Sequence, residues 1–76
     1  MPADGYVIEV KSEVNADGER SREIWYAHIH DRVRAVRAVR RAARVGRQAT
    51  VDVVRSEKHK TLVERLAVLE GEVRQS

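Results

Sequence analysis

Residues 23–46 read EIWYAHIHDRVRAVRAVRRAARVG, and the period of the apolar positions changes inside this stretch, at Asp31. Before Asp31, Trp25, Ala27 and Ile29 alternate with Ile24, Tyr26, His28 and His30, the period of two that a half-buried strand requires. After it, residues placed at 100° intervals gather Ala35, Val36, Ala38, Val39, Ala42, Ala43 and Val45 on one broad arc, the period of an amphipathic helix. Asp31 suits the N-cap, because its short carboxylate can accept from the unpaired N–H groups of the first turn, and Gly46 suits the stop. A strand running straight into a helix of about residues 31 to 47 therefore sets the middle of the fold.

Outward from this centre, Tyr6, Ile8 and Val10 alternate with Val7, Glu9, Lys11 and Glu13, which reads as a first strand over 6–14. Residues 15–20 contain Asp17-Gly18, a pair suited to the positive φ angles of a tight reversal, so the first two strands form a hairpin. Downstream, residues 49–55 are rich in β-branched side chains and set Val51 and Val53 against Asp52 and Val54, a third strand. Thr61 and Glu64 fit a capping box ahead of Leu62, Leu66 and Leu69, which predicts a short second helix that covers the sheet and ends at Gly71. Residues 1–5 and the tail from Glu72 are expected to be loose. The order β-β-α-β-α makes strands 2 and 3 run in the same direction, and a right-handed crossover favours the order 2-1-3. The expected architecture is α+β, a three-stranded mixed sheet packed on an amphipathic helix, in a single domain over 1–76.

Seventy-six residues bury only about 60% of the unfolded chain's surface, and the absence of Phe leaves Trp25 as the main core aromatic, with Val, Ile, Leu and Ala around it. Without cysteine there is neither a disulfide framework nor a thiolate metal site, so self-association as a homodimer is the remaining staple. No apolar run approaches the length of a membrane span and no leader pattern opens the chain, so a cytoplasmic protein without a membrane partner is expected.

The charge is concentrated. Residues 31–50 hold seven arginines and one aspartate, a balance of +6, whereas the remainder holds eight basic and eleven acidic residues, a balance of −3. Twelve arginines beside abundant Ala and Val fit coding by a G+C-rich bacterial or phage genome, so their spacing carries more weight than their number. On the helical wheel Arg34, Arg37, Arg40, Arg41, Arg44 and Arg47 occupy a continuous arc of about 140° over about 20 Å of helix. The guanidinium fork donates two hydrogen bonds to one phosphate or carboxylate, so these six residues are the candidate site for nucleic acid or for an acidic protein partner. A merely solvated face is the third reading. No base-reading motif accompanies the array, so contact with nucleic acid would be led by phosphates.

Tyr26, His28 and His30 fall on the sheet face away from the helix and are the candidate interface if a partner covers it. Two alternating histidines can ligate a divalent metal when a third ligand joins them, and His59 is one, but nothing in the spacing brings it near. No Ser, Cys or carboxylate pair is placed beside them for catalysis, and glycine-rich phosphate loops are missing. A regulatory or binding module without enzymatic activity, cofactor or metal is therefore expected.

Tyr6 to Val10, Ile24 to Ile29 with its aromatic-x-Ala-x-Ile pattern, the Ala-rich helix at 35–45 and the Val-rich strand at 51–54 together resemble HicB-type antitoxins over residues 6–54. The resemblance implies a non-enzymatic protein that binds and restrains an RNA-cleaving toxin.

Overall fold

The alternating segments form strands β1, Gly5–Lys11, and β2, Arg22–Ala27, which pair antiparallel with Ile8 opposite Trp25 and Tyr6 opposite Ala27. The computed structural model describes residues 3–12, 17–19, 21–46 and 49–76. Arg47, Glu13, Val14 and half of the 15–20 turn thus lie outside the described residues. Gly18 does adopt a positive φ of 80°, as the Asp-Gly pair implies. Ser12 and Ser21 close the described end of the hairpin, the Ser12 N–H donating to the Ser21 carbonyl at 2.9 Å and the Ser21 N–H to the Ser12 hydroxyl at 2.8 Å.

Helix α1 spans Arg32–Ala43. Asp31 caps it: its Oδ1 accepts from the N–H groups of Val33, at 2.9 Å, and Arg34, at 3.2 Å. The stop falls at Arg44 and not at Gly46. Arg44 takes the left-handed conformation, φ 53° and ψ 47°, and its N–H reaches the Arg41 carbonyl while that of Val45 reaches the Arg40 carbonyl. This paired closure leaves Val45 packed against the core, so burial of Val45 favours the earlier stop even though an arginine must enter the left-handed region.

Strand β3, Thr50–Glu57, pairs antiparallel with β1, and Val54 is an extra residue at a bulge where Val7 faces Arg55 and Ile8 faces Val53. A fourth strand, β4, Val73–Gln75, comes from the tail expected to be loose and pairs antiparallel with β2. The sheet is therefore four-stranded and antiparallel, in the order β3-β1-β2-β4, and corrects the three-stranded mixed sheet of order 2-1-3. Strands β2 and β3 do run in the same direction, but β1 lies between them, so no two neighbours are parallel.

The second α-helix is absent. Thr61–Arg65 instead forms a single π turn, in which the Leu66 N–H reaches back to the Thr61 carbonyl at 3.2 Å, and Ala67 then enters the left-handed region at φ 55°. Thr61 makes no cap, because the helical conformation already includes Lys60 before it. Leu62 and Val68 are fully buried whereas Leu69 stands exposed, so the three leucines do not share one face.

The main core lies between α1 and one sheet face: Ile8, Val10, Trp25 and Ala27 meet Ala35 and Val39, with Val51, Val53 and Val73 packed at the margin. On the other face the segment 58–71 crosses one end of the sheet, where Val7, Leu62 and Val68 are buried outside that cluster.

Candidate functional site

Because α1 buries Ala35 and Val39, its opposite side is turned to solvent. Arg34, Arg37, Arg40, Arg41 and Arg44 are all exposed there. None of the five has an ion-pair partner among the described residues. Three of the acids are engaged elsewhere: Glu9 pairs with Lys11 and Arg22 across the hairpin, Glu57 pairs with Arg55 along β3, and Asp31 caps the helix. The helix itself contains no acidic residue. Successive arginines at i+3 and i+4 repel one another, each such contact costing a few tenths of a kcal/mol when nothing intervenes. What remains is a positive strip about 15 Å long from Arg34 to Arg44.

The histidines are arranged differently from a strand pair. β2 ends at Ala27, so His28 and His30 do not extend its alternation. His28 is buried, 5% exposed, beneath the segment that carries the π turn. Its Nδ1 lies 2.9 Å from the Val68 carbonyl oxygen and its Nε2 lies 3.1 Å from Nδ1 of His59. Since a carbonyl only accepts, His28 Nδ1 carries the hydrogen and Nε2 presents a lone pair toward His59. The two rings meet edge to face, with centroids 4.8 Å apart. Glu70 joins them, one carboxylate oxygen lying 3.7 Å from His59 Nδ1. The backbone N–H of His59 donates to Asp4 at 2.8 Å, and the Gly71 N–H donates to the His28 carbonyl at 2.8 Å, so both arms of the segment are tied to the sheet end. His30 is exposed and lines, with Asp4, His28, His59 and Glu70, a solvent-open cavity of about 460 Å³. Tyr26 is half-buried within the sheet. Trp25 is a core residue and not a surface platform.

In the sequence His59 carries no signal that places it near His28, and Glu70 carries none that marks it as a ligand. Both reach His28 through the turn at Thr61–Leu69, whose path rests on tertiary packing of Leu62 and Val68, and no local spacing announces it.

The fold and this surface define a small α+β domain with an antiparallel sheet and an uncompensated arginine-faced helix. No protein-family model, curated protein or solved structure matches the chain. No helix of the described residues is long and apolar enough to cross a membrane.

Proposed function

We propose that the protein is a non-enzymatic binding module that engages the phosphates of nucleic acid through the arginine face of α1. The observation that carries this reading is the array itself: five exposed guanidinium groups on one side of a helix, with no acidic partner among the described residues. Repulsion within such an array is relieved when a polyanion binds, and each phosphate met releases condensed counterions. With four or five phosphates engaged, the logarithm of the binding constant falls against the logarithm of salt concentration with a slope of about −4. Arg34, Arg37, Arg41 and Arg44 form the centre of the contact, and Arg40 flanks it.

The test is a titration of short DNA and RNA duplexes at several salt concentrations, with the native chain and with Arg34, Arg37, Arg41 and Arg44 all changed to Glu. Steep salt dependence that disappears in the quadruple variant supports the reading. Equal affinity of the two proteins for duplexes at low salt overturns it. Retention of an acidic polypeptide alongside failure to bind either duplex would transfer the arginine face to a protein partner, the kind of role that the HicB-like layout implies.

A further inference from the structure

We propose that His28, His59 and Glu70 form a binding site for a divalent transition-metal ion of the zinc type, which clamps the segment 58–71 onto the end of the sheet. This inference is independent of the arginine face.

The donor atoms already stand close to the spacing such an ion imposes. Zn–N bonds of about 2.0–2.1 Å at a tetrahedral angle hold two ligand nitrogens about 3.3 Å apart. His28 Nε2 and His59 Nδ1 are 3.1 Å apart, and all three donors, the Glu70 carboxylate included, lie within 4.8 Å of one another. The carboxylate has the furthest to move, and Glu70 is 80% exposed, so its side chain can turn inward without displacing packed atoms.

The surroundings of His28 are those of a ligand held in advance. Its ring is buried, its Nδ1–H is fixed by the Val68 carbonyl, and its remaining nitrogen is thereby aimed outward as a lone pair. A second hydrogen bond of this sort sets the tautomer and orientation of metal-bound histidine. His59 is half-exposed, so in the metal-bound form its proton resides on Nε2 while Nδ1 joins the ion. The anchor of the His59 backbone on Asp4 restricts where that ring can go. The adjoining cavity gives the ion a route from solvent and leaves space for water at the fourth position. Two imidazoles and one carboxylate favour zinc, cobalt or nickel over calcium and magnesium, which prefer all-oxygen shells.

A purpose follows from where the ligands lie. His28 belongs to the chain just past β2, whereas His59 and Glu70 flank the π turn, so one ion would join the sheet end to a segment, 58–71, in which Leu62 and Val68 are the fully buried side chains among the described residues. An ion that binds the docked segment and not the detached one stabilises the fold by mass action.

The experiment uses the full chain freed of metal with a chelator, titrated with ZnCl₂ by calorimetry and with CoCl₂ by visible absorption, together with thermal melting. The expected result is one ion per chain, a four-coordinate cobalt spectrum and a melting temperature that rises with zinc. His59→Ala is expected to weaken zinc binding at least 100-fold and Glu70→Gln at least 10-fold, and both positions are exposed enough for the variants to fold. His30→Ala, at the cavity rim, is expected to bind as the native chain does. Absence of saturable zinc binding, undiminished affinity in His59→Ala, or loss in His30→Ala with retention in His59→Ala would each overturn the proposal.

Discussion

Gly5 lies so close beneath Leu62 that a β-carbon on it would stand 2.6 Å from Leu62 Cδ1 and closer still to the Ala27 carbonyl oxygen. The leucine side chain can rotate away, but the carbonyl belongs to the β1–β2 ladder and cannot. Glycine at this position therefore answers to close approach and not to backbone angle. Gly5→Ala is expected to lower stability by about 1–3 kcal/mol, as overpacking does. Urea unfolding followed by the fluorescence of Trp25, the chain's one tryptophan, measures it. An unchanged midpoint would mean that Gly5 does not approach the Ala27 carbonyl as described.

A converse change is expected at Ala67, whose φ of 55° puts an L side chain in the left-handed region. Ala67→Gly relieves this and should raise stability by about 1 kcal/mol, the gain being reduced by the greater freedom of glycine in the unfolded chain. Gly71 sits at φ 81° with open space around it, so Gly71→Ala should cost a similar amount through the backbone alone. Opposite signs for the two variants, read from the same denaturation curves, are the expected outcome.

These two turns also mark where the sequence stops being informative. The hairpin, α1 and β3 were legible because their periods of two and 3.6 run over six residues or more and because Asp31 supplies an unambiguous cap. β4 has three residues, too few for any period to show, and its pairing with Ala27, Tyr26 and Trp25 depends on where the preceding turn delivers it. Thr61 and Glu64 imitate a capping box, yet the chain leaves the helical path after Arg65, and Leu62, which lies against Gly5, and Val68 are both fully buried. The arginine arc was readable residue by residue up to Arg44. The cluster of His28, His59 and Glu70 was not, since its members are brought together only by that unpredicted turn.

Repulsion along α1 leads to a prediction in which stability and binding move apart. Arg37 has arginines at positions −3, +3 and +4, and a glutamate there would instead face Arg41 in the favourable i, i+4 order. Arg37→Glu is expected to stabilise the domain by a few tenths of a kcal/mol and, on the proposed reading, to flatten the salt dependence of duplex binding by at least one unit of slope. Thermal melting and a salt series on the same preparation check both. A variant that loses stability and binding together would point to unfolding, and one that gains stability with binding intact would remove Arg37 from the contact.

The link between packing and the proposed metal clamp can be separated from stability in general by comparing two buried positions on opposite faces of the sheet. Leu62→Ala removes the side chain that seats the π turn and should cost about 2–5 kcal/mol, whereas Val39→Ala weakens the α1 face by about 2 kcal/mol. Neither residue offers a metal ligand. If His59 and Glu70 are held near His28 by the seating of Leu62, the first variant binds zinc more weakly at unchanged stoichiometry and the second binds it as the native chain does, both measured at a temperature where each remains folded. Equal zinc affinity in the two variants would show that the ligands assemble without help from Leu62, because a loss of stability alone is common to both and cannot discriminate between faces.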